Sequence, residues 1–169
     1  MSKYKFNQRG ASLLEILAAS LLLVIGVLGS MILQYRATTV TVEAIHRVQA
    51  LNIARDLAER MRTNRQAFPI YLGLNQYDTL EHVTNCIGDL QANLCTAEDF
   101  AKFDIQQVKQ KASDLAMQVN ILPCFGHQHR SCIYVAWGGT SATDSISKNA
   151  CTRHLVYLPT STCIVMEAY

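Results

Sequence analysis

The chain has 169 residues and a formal net charge of +2, from 15 lysines and arginines and 13 aspartates and glutamates. Three of the basic residues lie within the first ten positions, so the rest of the chain is close to neutral. This balance argues against a broad electrostatic surface for nucleic acid. Beyond the apolar segment described next, about 135 residues remain, which is enough for one domain with its own core.

An apolar run of 23 residues extends from Ala11 to Leu33, and Glu15 is its only charged residue. At about 1.5 Å per residue, a helix of this length can cross a membrane. A carboxylate in a membrane span costs roughly 2.5–3.5 kcal/mol or more, so Glu15 is a candidate functional residue that needs a partner. Lys3, Lys5 and Arg9 precede the run, which predicts a cytoplasmic N-terminus.

Three interpretations of this segment compete. A secretory signal removed after Gly29 would require an unusually long apolar region, because such regions have about 7–15 residues. An uncleaved membrane anchor would leave Glu15 without a purpose. A cut between Gly10 and Ala11 would keep the helix and create a free amino group close to Glu15, as a partner in the same chain or in a neighbouring one.

The segment from Arg9 to Glu15 resembles the class III signal of the type IV pilin superfamily: a basic leader, a glycine, then an apolar helix with glutamate at the fifth position. The resemblance implies that a prepilin peptidase cuts after Gly10 and methylates Ala11. It also implies that Glu15 pairs with the amine of a neighbouring subunit in a fibre. Ala11 departs from the usual Phe or Met, and the helix-kinking proline of many major pilins is absent. The expected organisation is a leader (1–10), a transmembrane and assembly segment (11–33) and an exported domain (34–169).

The helix is predicted to continue beyond the membrane, because no Pro or Gly occurs between Arg36 and Gln66. Apolar residues recur there at steps of three and four, with Ile53 and Leu57 as a second edge. Together with the span, this predicts one helix of roughly 55 residues, about 80 Å long, that ends near Pro69 and Gly73. The residues of the main stripe are Ala37, Val40, Ala44, Val48, Leu51, Ala54, Ala58 and Met61.

The segment Ile53 to Arg65 (IARDLAERMRTNR) is similar to the A-x-D-L/M-A-E-R-M-R-x-N segment of PilV-type minor pilins, the type IV pilus modification proteins. Its charges are also spaced for pairing on one helix surface, at about 0.2–0.5 kcal/mol per pair. Arg62 and Arg65 have no acidic residue three or four positions later, so they are candidates for contacts between subunits. The alternative is that both are solvated surface charges.

Beyond Gly73 the pattern predicts two short helices and then strands. Asp78 to Glu81 forms a capping box before one helix, and Thr96 to Asp99 opens the other. Alternation of period two then begins at Leu115. The expected strands lie at 115–121, 132–137, 154–158 and 163–166. The predicted fold class is α+β: a long N-terminal helix packed on an antiparallel sheet of about four strands, which is the pilin fold.

All six cysteines follow the apolar run, and an oxidising compartment would keep them as disulfides. Six cysteines allow fifteen pairings, and proximity in sequence favours Cys86–Cys95, Cys124–Cys132 and Cys151–Cys163. Each short loop would contribute on the order of 2–3 kcal/mol. A zinc site is the alternative at Cys124, His127, His129 and Cys132, although the spacing is not one of the common zinc patterns.

The sequence contains no recognisable catalytic motif or phosphate-binding loop, so neither enzyme activity nor a cofactor is expected. The resemblance implies a minor pilin that helps to initiate pilus assembly near the tip and supports twitching motility and adhesion. Expected partners are other minor and major pilins, the prepilin peptidase, the inner membrane before assembly and a tip adhesin. The alternatives are a minor pseudopilin of type II secretion and a DNA-binding pilin. A DNA-binding pilin would need a concentrated basic patch, and Arg130, Lys148 and Arg153 are too few to indicate one.

Overall fold

The computed structural model describes residues 13–74, 85–87, 95–124, 126 and 130–168. The chain divides into two units, residues 1–44 and 45–169. Helix α1 (Leu13–Thr63) begins in the first unit and ends in the second. The described part of the first unit is helical throughout and contains no buried side chain. The second unit contains every buried residue of the described chain.

The uninterrupted helix expected from the sequence is present, and it ends slightly earlier than predicted, at Thr63. Asn64 leaves the helical region with φ −113° and ψ 58°, and a 3₁₀ turn follows at Arg65–Ala67. Pro69 does not end a helix but lies in the first turn of a second one, α2 (Phe68–Leu72). A proline is tolerated in a first turn because its missing N–H would have no helical partner there.

The buried face of α1 is displaced from the predicted stripe. Ala54 and Met61 are buried as expected, but Val48 is 60% exposed, and the presumed second edge, Ile53 and Leu57, lies at the centre of the buried face. The reason is that a run chosen at steps of three and four drifts around a straight helix of 3.6 residues per turn.

Helix α3 (Ala97–Asp114) begins where the sequence predicts. The Thr96 hydroxyl accepts a hydrogen bond from the Asp99 N–H, and the Asp99 carboxylate accepts one from the Thr96 N–H, which completes a capping box. Its expected apolar stripe is buried (Ala101, Ile105, Val108 and Ala112). The capping box predicted at Asp78 to Glu81 lies outside the described residues. Of the short helix predicted after it, only residues 85–87 are described, and they are not helical, so the prediction is wrong there.

The first sheet contains three antiparallel strands in the order β1-β2-β6, so the central strand is β2. Strand β1 (Met117–Pro123) and strand β2 (Ser131–Trp137) form a hairpin, with Val119 opposite Val135. Strand β6 (Cys163–Ala168) pairs with the other side of β2.

A second sheet, not expected from the sequence, has the order β3-β4-β5. It consists of β3 (Ser141–Asp144), β4 (Ala150–Arg153) and β5 (Val156–Tyr157), and the β3–β4 pair is parallel. The strand predicted from His154 is shorter, because His154 and Leu155 form a turn with φ values of 51° and 62°. The Asp144 carboxylate accepts hydrogen bonds from the backbone N–H groups of both turn residues.

Strand β2 is buried along its whole length because it lies between two cores. On one face, Ile133 and Val135 pack in the cluster that contains the buried residues of α1 and α3. On the other face, Tyr134 and Ala136 pack in a cluster with Ala142 and Cys151 of the second sheet. The second unit (residues 45–169), called the globular unit below, therefore has three layers: the helices, the first sheet and the second sheet. The α+β class, with a long helix on an antiparallel sheet stapled by disulfides, is confirmed.

Candidate functional site

Glu15 lies in the first turn of α1 as the structure describes it, and its side chain is exposed. A carboxylate near a helix N-terminus is favoured by the helix dipole, by about 0.3–1 kcal/mol at an exposed site. Gly10 and Ala11, between which cleavage is predicted, lie outside the described residues. The position of Glu15 suits an interaction with a cation near the start of the helix.

The helix that carries Glu15 presents a continuous apolar surface. Every side chain from Leu13 to Leu33 is exposed, including Leu14 (77%) and Leu33 (72%). In the described part of the chain, α1 is the one helix long and apolar enough to cross a membrane. From Leu13 to Leu33 it would span about 30 Å, the thickness of the hydrocarbon core of a bilayer.

Polar side chains within this apolar surface hydrogen-bond to the helix itself. The Ser20 hydroxyl donates to the Leu17 carbonyl (2.9 Å), and the Ser30 hydroxyl donates to the Val27 carbonyl (2.8 Å). In lipid an unsatisfied polar group costs several kcal/mol, so these internal bonds suit a membrane environment. Glu15 is the charged residue of this apolar segment, and in lipid a carboxylate costs more than a hydroxyl group.

In the globular unit, Arg60 is the centre of a polar network that joins α1, α2 and α3. Its guanidinium donates to the Asp56 carboxylate (2.9 Å) on α1, and to the Asp104 carboxylate and the Gln107 side chain on α3. The Tyr71 hydroxyl of α2 donates to the other oxygen of Asp104 (2.6 Å). The sequence predicts the Asp56–Arg60 spacing, but the partners on α3 are about 45 positions away and have no sequence signal.

The charges of this network alter the pKa values of its members. Partial burial alone would raise the pKa of Asp56, but hydrogen bonds and charges from Arg60 and Lys111 outweigh it and lower that pKa below its ordinary value. Burial and the neighbouring Asp104 carboxylate both raise the pKa of the Tyr71 hydroxyl. Asp56 therefore stays ionised and Tyr71 protonated at neutral pH, and the network holds the three helices together.

Arg62 and Arg65, the candidates for contacts between subunits, are both exposed. The Arg62 guanidinium lies 4.0 Å from the Glu59 carboxylate, one turn earlier on α1. Arg65 lies in the 3₁₀ turn that follows the helix. The exposed Arg62–Glu59 pair contributes about 0–1 kcal/mol at this distance. The role of Arg62 and Arg65 between subunits stays a prediction.

The three disulfides of the structure are the pairs that the sequence favours: Cys86–Cys95, Cys124–Cys132 and Cys151–Cys163. The second links the end of β1 to β2, and the third links the second sheet to the first. Because Cys124 and Cys132 are bonded to each other, they cannot provide thiolate ligands, and the zinc alternative is wrong in this state. His127 and His129 lie outside the described residues.

Two of the three basic residues considered for nucleic-acid binding interact with groups of the chain itself. Arg130 pairs with Glu167, and Arg153 donates to the carbonyl of Ile146 (3.1 Å). Lys148 is exposed on the connection between β3 and β4. Affinity for DNA requires several phosphates to be neutralised together, and this arrangement does not favour it.

Comparison with protein families finds one relationship. Residues 32–106 match the family model described as Tt1218-like, type IV pilin Tt1218, over less than half of the chain. No curated protein and no solved structure matches. The family match and the fold together support the type IV pilin superfamily, and the apolar N-terminal helix fits membrane anchoring followed by entry into a pilus.

Proposed function

From a fold and a family match that both support a type IV pilin, we propose that the chain is a minor pilin that helps to initiate pilus assembly. It would start as an inner-membrane protein with a cytoplasmic N-terminus, and the prepilin peptidase would cut it after Gly10. It would then join other minor and major pilins near the pilus tip, where it supports twitching motility and adhesion through a tip adhesin. The proposed role is structural, without catalysis.

One observation carries this proposal: Glu15 stands on an exposed apolar helix that extends into a disulfide-stapled domain. In lipid the carboxylate is costly without a cation, and a neighbouring subunit's N-terminal amine provides one. The apolar surface can leave the bilayer only for another apolar environment, and the helices of other pilins provide it. The same helix therefore serves first as an anchor and then as an assembly surface.

The choice of a minor pilin of a pilus rests on the resemblance of Ile53 to Arg65 to PilV-type proteins. A minor pseudopilin of type II secretion would use the same anchor and the same carboxylate. The two roles differ in phenotype: loss of the pilus subunit removes surface pili, whereas loss of the pseudopilin leaves exported proteins in the periplasm.

Glu15→Gln tests the proposal, because it removes the charge and keeps the shape of the side chain. We expect normal leader cleavage but a loss of roughly tenfold or more of the subunit from sheared pili, in line with a desolvated charge pair. Immunoblots of sheared pili and of membranes would measure both pools. Glu98→Gln, an exposed carboxylate on α3, is the matched control and should enter pili normally. Recovery of Glu15→Gln in pili at the wild-type level would contradict the role of this carboxylate.

A further inference from the structure

Strand β6 ends the first sheet as the structure describes it. Within the described residues, no strand pairs with its outer side, away from β2. Exposed edges present a row of backbone donors and acceptors to which another strand can bind. The residues that could receive such a strand follow from the register of the ladder.

The Trp137 N–H donates to the Thr162 carbonyl (3.0 Å), next to the pair Ala136–Cys163. In an antiparallel ladder, every second residue directs its N–H and C=O toward the neighbouring strand. Cys163, Val165 and Glu167 therefore direct their backbone groups away from β2. The Val165 N–H shows this directly, because it donates to the hydroxyl of Tyr157 (2.9 Å).

Among the described residues, Tyr157 takes the place of a strand at one point of this edge, Val165. It lies on β5 at the edge of the second sheet, and its side chain is half exposed. A hydroxyl on a flexible side chain can be displaced by a backbone carbonyl of an incoming strand at little cost. The edge is therefore covered at Val165 by a replaceable group.

Met166 and Glu167, at the end of β6, also line a groove of about 600 Å³, within the range of about 300–1,000 Å³ that is typical of ligand sites. Its apolar floor is formed by Ala58 of α1 and Met166 of β6. Four charged side chains surround this floor (Arg55, Glu59, Arg130 and Glu167). A helix on one side and a strand edge on the other is the geometry that β-strand addition uses.

The charges around the floor indicate what the added strand must carry. Arg130 pairs with Glu167, and Glu59 lies 4.0 Å from Arg62. Arg55 makes no ion pair among the described residues, so a carboxylate on the ligand would complement it. The floor in turn requires apolar side chains on the same face of that strand.

We propose that the outer edge of β6 and this groove bind an extended segment of a neighbouring pilin by β-strand addition. The segment would carry a carboxylate flanked by apolar residues on one face. The identity of the neighbour rests on the proposed function, whereas the binding chemistry does not. The segment would pair with the backbone of Val165 and Glu167, and its carboxylate would lie against Arg55.

A labelled peptide tests this with the mature full-length chain in detergent micelles. The probe is the capped sequence Thr-Val-Thr-Glu-Thr-Val-Thr, and its control has Lys in place of Glu. By fluorescence anisotropy, we expect the Glu peptide to bind roughly tenfold or more tightly than the Lys peptide. Arg55→Glu should reverse this preference, whereas Lys148→Glu, the same charge change at an exposed residue outside the groove, should preserve it.

Two substitutions at one position separate backbone pairing from side-chain effects. Glu167→Pro removes an outward N–H, which an edge strand tolerates, and should weaken binding roughly tenfold. Glu167→Ala breaks the same ion pair with Arg130 but keeps the N–H, and should bind within about threefold of wild type. If Glu167→Pro does not form the three disulfides, the test rests on whether Arg55→Glu reverses the preference between the Glu and Lys peptides.

Lack of saturable binding, equal affinity for the two peptides, or a folded Glu167→Pro that binds like Glu167→Ala would overturn the inference. None of these results would alter entry of the subunit into sheared pili. A chain that enters pili but binds neither peptide would therefore retain the proposed function and lose only the strand-addition site.

Discussion

At the scale of single residues, Arg60 connects α1 to α3 in the globular unit. It donates to side chains on two helices, and its own side chain is only 27% exposed. Charge-assisted hydrogen bonds in partly buried sites are worth about 1.5–3 kcal/mol, more than those on the surface. Arg60 therefore contributes to fixing α3 on α1, a role that its neighbours in the sequence do not reveal.

Arg60→Leu should destabilise the domain by about 1–3 kcal/mol, because the Asp56 and Asp104 carboxylates lose their shared cation. Arg62→Leu, two residues further along, removes a more exposed guanidinium and should change stability by no more than about 0.5 kcal/mol. Urea unfolding followed by circular dichroism would measure both values. Equal effects of the two substitutions would show that the network does not contribute.

The lowered pKa of Asp56 gives stability a defined dependence on pH. Its carboxylate is stabilised in the folded state, so the contribution is present above the ordinary value of 3.8 and is lost as pH falls through the folded pKa. The free energy of unfolding should therefore fall as the pH drops through and below 3.8, and fall less steeply in Asp56→Asn. Asp99, whose pKa is lowered by its bonds with Thr96, contributes with the same sign. Parallel pH profiles for the wild type and Asp56→Asn would contradict this.

At the scale of elements, the sequence predicted the helices and strands that depend on interactions between residues close together in the chain. The capping box at Thr96 and Asp99 begins α3, and alternation located β1 and β2 to within two residues. The second sheet was missed because its strands have two to four residues and its β3–β4 pair is parallel, so neither alternation nor a hairpin signal identifies it. The turn at His154 depends on a carboxylate ten positions earlier, Asp144.

The Cys151–Cys163 disulfide joins β4 to β6 and therefore the two sheets to each other. Replacing both cysteines with alanine should lower the free energy of unfolding by about 2–4 kcal/mol. We expect the second sheet to lose hydrogen-exchange protection before the first, because its strands are short and its outer residues Val156 and Tyr157 are exposed. Simultaneous loss of protection in both sheets would show that they unfold as one unit.

At the scale of the whole molecule, the first test concerns the N-terminus. Mass spectrometry of the native protein should give a chain that begins at a methylated Ala11. Gly10→Arg should leave a precursor with residues 1–10 attached, held in the membrane. A chain that begins at Met1, or one cut after Gly29, would contradict the predicted processing.

The sequence predicted the α+β class and the long helix because both depend on patterns of many residues. The anchor is predictable from composition alone, and Glu15 stands out because it is the single charge in an apolar run. The groove beside β6 had no sequence signal, since it brings Arg55 and Ala58 of α1 next to Met166. Such a site depends on which strand lies at the end of the first sheet. No local pattern in the sequence specifies the strand order β1-β2-β6.

The burial of β2 between two partners has a consequence for biogenesis. Its second neighbour, β6, follows the entire second sheet in the chain, so the first sheet cannot be completed until that last segment is available. Until then, the backbone edge of β2 that pairs with Cys163–Ala168 has no partner strand, and partly folded chains with such an edge are prone to aggregate. If the proposed membrane anchoring holds, α1 would keep each chain at the membrane during this interval and limit encounters between unfinished domains. The order of the strands along the chain thus makes completion of the first sheet depend on its C-terminal segment.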